Sequence, residues 1–221
     1  MYSAVEKMPD KVVSKLSLAK TKTPWLKETW DRQGEVFPNI PWSKSGALLF
    51  RDELPHYLIW GDLYLTIAET YDMKVFTNKA GKFLEPRATS WDKTLVESGP
   101  PPLKLEDGNY LFFYNSGRDD FPSEKPGYSY QYNVGFLILD KDDPTKILQR
   151  SENPILSPEL AWEKGKAPFL DLTPNVVFLE GAKALGNNQY LVFYGGADSV
   201  IGTGLVTVTL GETEIQEEQT S

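Results

Sequence analysis

The stretch YLFFYNS at residues 110–116 is an aromatic and aliphatic strand closing in small polar residues, and it recurs as YLIWGD at 57–62 and YLVFYGGAD at 190–198. A further copy begins at MYSAV, residues 1–5. Two of these copies lie about 53 residues apart, and the strands before them, SGALLF (45–50) and SGPPPLKL (98–105), keep the same spacing. Two strand types in one register mark a repeated supersecondary unit.

After each copy comes a second β pattern: KLSLAKT (15–21), YLTIAET (64–70), YNVGFLILD (132–140) and GTGLVTVTL (202–210). KVFTN (74–78) and KILQRS (146–151) then read as outer strands, and no helical periodicity is sustained. The interval to the last copy is about 80 residues, lengthened by the Gly/Pro/Tyr-rich loop 116–131 and the Pro-rich stretch 153–174. These features predict an all-β chain, a β-propeller of four-stranded antiparallel blades. About three and a half blades fit into one partial domain over 1–221. They are a half blade at 1–44, blades at 45–97, 98–173 and 174–210, and an acidic tail at 211–221. An open arc exposes strand edges, so self-association through them is an expectation.

Composition narrows the function. With 40% apolar and 24% charged residues the chain is globular, and six Trp, eleven Tyr and eleven Phe suit pleated sheets and sugar platforms alike. A net charge of −8 with no basic run argues against nucleic acid or an anionic membrane as partner. The absence of Cys excludes disulfides, thiolate metal sites and a cysteine nucleophile. His56 is the lone histidine and reads as a strand-start residue, which leaves no Ser-His-Asp triad without it. No cofactor or metal is called for. The first residues lack the succession of a signal peptide, and no run approaches about 18 apolar residues. The chain therefore reads as soluble and untargeted, with its compartment open.

Four segments, 98–116, 132–159, PNVVFLEGA (174–182) and FYGGADSVIG (193–202), together resemble glycoside hydrolase family 130, the β-mannoside phosphorylases and hydrolases built on a five-bladed propeller. The resemblance runs from about Met1 to Val208 and implies an oligosaccharide ligand of β-mannoside type. It also implies two further blades upstream, together with the Glu-Asp-Pro-Arg motif whose Asp serves the family as general acid; that motif is absent from this chain. Three phosphate-binding positions differ: Leu95 stands where phosphorylases have Lys, Asn115 where they have His, and Asn133 where they have Arg. By this resemblance the parent is a hydrolase, with an inverting two-carboxylate mechanism, or a non-catalytic sugar-binding or scaffold propeller.

Site residues follow from both lines. The resemblance makes Asp198 a sugar contact; a turn cap is its structural alternative. Glu97, at a strand entry facing the central channel, is the candidate base, with Glu180 at the inner end of another blade beside it as a catalytic candidate. Asp62, Asn115 and Asn133 join Asp198 as substrate-binding candidates. Trp60, Tyr114 and Tyr194 end the repeated strands and can stack on sugar faces or pack between blades. Arg118, Asp119 and Asp120 are candidates for a loop closing over the channel, and Pro100–Pro102 for shaping its wall.

Overall fold

The computed structural model describes residues 1–166, 168 and 172–209; the acidic tail expected at 211–221 lies outside them. Four antiparallel sheets follow one another along the chain. The first is β1 (Tyr2–Lys7), β2 (Val12–Lys20) and β3 (Asp31–Glu35), and the second β4 (Gly46–Leu49), β5 (His56–Trp60), β6 (Thr66–Thr70) and β7 (Thr77–Asn78). The third holds β8 (Leu95–Ser98), β9 (Leu103–Lys104), β10 (Tyr110–Arg118), β11 (Gln131–Leu139) and β12 (Ile147–Arg150). The fourth is β13 (Val177–Gly186), β14 (Gln189–Gly196) and β15 (Val200–Thr207), in spatial order.

The apolar runs of the middle strands have side chains for both faces, because a strand buried on two sides alternates between two cores. On β10, Tyr110, Phe112 and Tyr114 pack with Leu49, Tyr57 and Ile59 of the second sheet. Leu111 and Phe113 pack instead with Val177, Leu179 and Val192 of the fourth. Leu58 and Trp60 of β5 turn away from the third sheet onto Leu16 and Phe37. Three cores thus separate four face-to-face sheets, the arrangement of propeller blades about an axis. Each fully buried Phe or Leu contributes about 1.5–3 kcal/mol.

The third and fourth sheets share a further device. Trp91 stacks on Tyr114 with centroids 5.8 Å apart, and Trp162 on Tyr194 at 6.0 Å. Each tyrosine lies over a cross-strand glycine, Gly135 in one sheet and Gly202 in the other. A Cβ on Gly202 would meet the Tyr194 ring at 2.3 Å, so only glycine leaves room for it. Each tyrosine hydroxyl donates to the acid that follows the tryptophan in sequence, Tyr114 to Asp92 at 2.9 Å and Tyr194 to Glu163 at 2.7 Å.

Pro100–Pro102 supply no N–H donors, and they interrupt the inner strand of the third sheet between β8 and β9, both of which pair with β10. His56 opens β5 and accepts the Arg51 amide at Nδ1, 3.2 Å away. Asn187 and Asn188 carry β13 into β14 with φ of 52° and 51°, the left-handed pair that a tight hairpin requires.

Candidate functional site

A cleft of about 620 Å³ opens where the four sheets converge. Glu97 reaches it from β8, Glu180 from β13, and Asp198 from the turn between β14 and β15. Local geometry aims each of them. Asp198 has φ of 55° and Ala197 before it 51°, held by hydrogen bonds from Ala197 N to Val176 O and from Ser199 N to Gly196 O. Among the described residues none hydrogen-bonds the Asp198 carboxylate, so a turn-capping role for it is not what this geometry displays.

Glu97 is only 4% exposed and needs partners for its charge. Lys44 Nζ lies 2.8 Å from its Oε1, and the Ser45 hydroxyl donates to the same oxygen. Ser45 itself sits at φ 46°, and its amide donates to Ser3 Oγ at 3.2 Å, so residues of three sheets meet at one carboxylate. Glu180 has no such partner among the described residues. Its side chain opens to cleft water but is crowded by protein, and this desolvation, with the Glu97 charge adding to it and Lys44 opposing, pushes its carboxyl up to about 7. Solvent access softens the effect without changing its sign.

The fully buried Asn115 does not line the cleft; it brackets it. Its Nδ2 donates to Leu179 O at 3.1 Å and Ser98 O at 3.4 Å, and its Oδ1 accepts from Leu179 N at 2.7 Å. Ser98 follows Glu97 and Leu179 precedes Glu180, so one amide ties together the strands that carry both acids. Asn133 is also buried, and it points to the opposite face of β11 from Tyr132, which does line the cleft. The remaining candidates lie elsewhere. Asp62 accepts from Trp42 Nε1 at 2.9 Å, and Trp60 packs on Phe37 at 4.6 Å while donating to Asn78. Tyr114 and Tyr194 are the ring-on-glycine anchors of their sheets, their hydroxyls already engaged; burial is the first cause pushing both phenols up to about 12. Arg118, Asp119 and Asp120 face Lys93, Thr94 and one another, and so tether the 118–131 loop rather than reach over the cleft.

Sequence reasoning passed over Lys44, Ser45, Tyr128, Tyr132 and Phe178, all of which line the cleft. A signal for Ser45 was present: the Ser-Gly pair found in both inner-strand repeats, Ser45–Gly46 and Ser98–Gly99, lies at the cleft in both sheets.

Face-to-face antiparallel sheets converging on an acid-lined cleft define a β-propeller-type protein. A family model described as beta-1,4-mannooligosaccharide phosphorylase matches residues 6–212, and the chain belongs to glycoside hydrolase family 130. It is 32% identical to the 1,2-beta-oligomannan phosphorylase of Thermoanaerobacter sp. (strain X514) over 182 residues, which are 80% of this chain and 54% of that protein. The chain spans about half the length of the curated relatives it matches. Among solved structures it resembles the beta-1,2-mannobiose phosphorylase of Listeria innocua in complex with beta-1,2-mannobiose. That likeness has a TM-score of 0.68 and 25% identity, and covers 92% of this chain and 56% of the other. A glycosyl hydrolase from Bacteroides ovatus shares the fold with a TM-score of 0.72 at 22% identity, covering 93% of this chain and 64% of the other.

Proposed function

We propose that this chain forms the acid-bearing part of a β-mannoside hydrolase with an inverting two-carboxylate mechanism. The observation that carries the reading is the pairing of Glu97 and Glu180 in one cleft in unlike environments. Glu97, neutralised by Lys44 on one oxygen, has its second oxygen free to orient water. Glu180, with a pKa near 7, is matched to take the proton of that water at working pH. Asp198 supplies hydrogen bonds to a sugar hydroxyl. In this reading the two carboxylates of the inverting mechanism are Glu180 as base and a general acid that is none of these three residues, with Glu97 positioning the water.

Phosphorolysis is the activity named for the relatives, and it would require a seat for a dianion. Lys44 is the one Lys or Arg side chain among the described residues lining the cleft, and Glu97 already occupies it. Glu97, Glu180 and Asp198 repel phosphate, whereas water carries no charge to repel.

The test assays β-1,2- and β-1,4-mannobiose with and without inorganic phosphate, for this chain and for a version extended upstream. Mannose release by the extended form, indifferent to phosphate and lowered about 10²-fold or more in Glu97→Gln and Glu180→Gln, is the expected result. Phosphate-dependent formation of mannose 1-phosphate overturns it. Sugar binding with no turnover in either form supports a non-catalytic sugar-binding propeller instead.

A further inference from the structure

A second cavity, of about 590 Å³, opens below the acids, and the strands around the axis lead down to it. In the second sheet β4 runs from Gly46 at the cleft to Leu48 and, just past its end, Phe50 on the wall of this cavity. In the third sheet β8 carries Glu97 and Ser98 along the cleft, and the chain continues through Gly99 to Pro100 and Pro101 on the lower wall. In the first sheet β2 passes from Leu16 at the cleft to Lys20 at the lower cavity. Glu180 lines both spaces, whereas Glu97 and Asp198 line the cleft alone. Of the three acids, Glu180 is the one reached from both sides.

The lower walls suit passage rather than capture. Proline rings carry no N–H, and the Leu48 and Phe50 side chains carry no polar atom, so little on these faces can hold a water in place. Polar groups stand at the two ends instead. Glu180 is on the cleft side, and the exposed Lys20 and Lys74, whose ammonium groups are strongly hydrated, are on the other. At about 30 Å³ per molecule, the space between them has room for a file of water.

Inverting hydrolysis gives such a file a task. Each turnover consumes one water, whose oxygen joins the anomeric carbon as the glycosidic C–O bond breaks. One proton of that water goes to the base, and the leaving oxygen takes its proton from the general acid. A sugar seated in the cleft covers Glu180 from that side, so water must arrive, and the proton must leave, by another way.

We propose that the lower cavity is a water conduit, which carries water to Glu180 and protons away from it on the side opposite the sugar. The proposal rests on the hydrolytic reading of the acid cleft, with Glu180 as base. It gives the Pro100–Pro101 pair its place in the molecule: it shapes the wall of the conduit and not that of the cleft.

The chain has no cysteine, so Glu180→Cys and, at a position lining the cleft alone, Thr173→Cys each give it a single thiol. The rate of modification by methyl methanethiosulfonate, measured with and without saturating β-1,2- or β-1,4-mannobiose, tests the conduit. Bound sugar should slow the thiol at position 173 about tenfold or more and the thiol at position 180 about twofold or less, because reaction follows access. With sugar bound, a bulky group on the lower wall, Pro101→Trp or on a second element Lys74→Trp, should slow the thiol at position 180 about tenfold. Protection of the thiol at position 180 by sugar overturns the conduit and leaves the acid cleft standing. So does a thiol at position 180 that stays reactive under sugar at the same rate in both folded Trp variants. Protection of neither thiol overturns the conduit and the β-mannoside reading together.

Discussion

Replacing Glu180 by Gln isolates the electrostatics of the cleft. In the folded chain desolvation and the Glu97 charge raise this carboxyl from 4.5 to about 7. The folded state therefore holds the proton more tightly than the unfolded state does. The resulting stabilisation is complete below about pH 4.5 and is lost as pH rises through about 7. At about 1.4 kcal/mol per pH unit, the shift from 4.5 to about 7 sets a ceiling of roughly 3 kcal/mol. Because Glu180 is open to cleft water, screening reduces the expected effect to about 1 kcal/mol. Gln has the same shape and no proton to exchange. Urea unfolding at a series of pH values should show the unmodified chain losing about 1 kcal/mol more stability than Glu180→Gln between about pH 5 and pH 8. Parallel pH profiles for the two proteins would refute the reasoning, because they would mean that Glu180 titrates alike in both states.

Asp92 is fully buried and accepts from Arg87, Arg150 and Tyr114, so Asp92→Asn should destabilise by about 3–5 kcal/mol in chemical denaturation; a loss under about 1 kcal/mol would deny the cluster that importance. At Gly196 a new Cβ would fall 1.9 Å from the Trp162 ring, and Gly196→Ala should lower the unfolding free energy by about 1–3 kcal/mol through overpacking, read from the denaturant midpoint. Removing the Asn115 bracket by Asn115→Ala strands the buried Leu179 amide and carbonyl, at about 1–3 kcal/mol per unpaired group. Hydrogen exchange should then show Leu179 losing protection before the rest of β13.

Strand positions were legible in the sequence because period and spacing are local properties. The Tyr-Leu repeats at 57, 110 and 190 became β5, β10 and β14, the middle strands of their sheets. Glu97 and Glu180 were legible as cleft residues because each sits on an inner strand, where the blade plan fixes direction, while Asp198, in the β14–β15 turn, was marked by the family resemblance. Which face a residue takes when both faces are apolar is a tertiary matter, and there the pattern is silent. Tyr114 and Tyr194 show how it is decided: Trp-Asp at 91–92 and Trp-Glu at 162–163 supply a stacking ring and an acceptor, and Gly135 and Gly202 supply the space. Those three signals are present in the sequence but far apart, so only the folded register brings them together. Asn115 and Asn133 stand where the family resemblance puts phosphate ligands; buried in the fold, Asn115 is held by the backbone of Ser98 and Leu179, whereas Asn133 Nδ2 has no hydrogen-bond partner among the described residues.

The anchors and the acids belong to one design. A carboxylate can be kept unpaired beside another only if neither can relax away, and in this chain relaxation is blocked from both sides. The tyrosine-on-glycine contacts fix β10 against β11 and β14 against β15, while Asn115 fixes β10 against β13. Lys44 then sets the surroundings of the two acids apart. It lies against Glu97, whereas at Glu180 burial, with the Glu97 charge adding to it, raises the carboxyl to about 7. Lys44, the one Lys or Arg side chain lining the cleft among the described residues, is already paired with Glu97, and under the proposed hydrolytic reading this leaves little to hold a phosphate dianion and leaves water as the nucleophile.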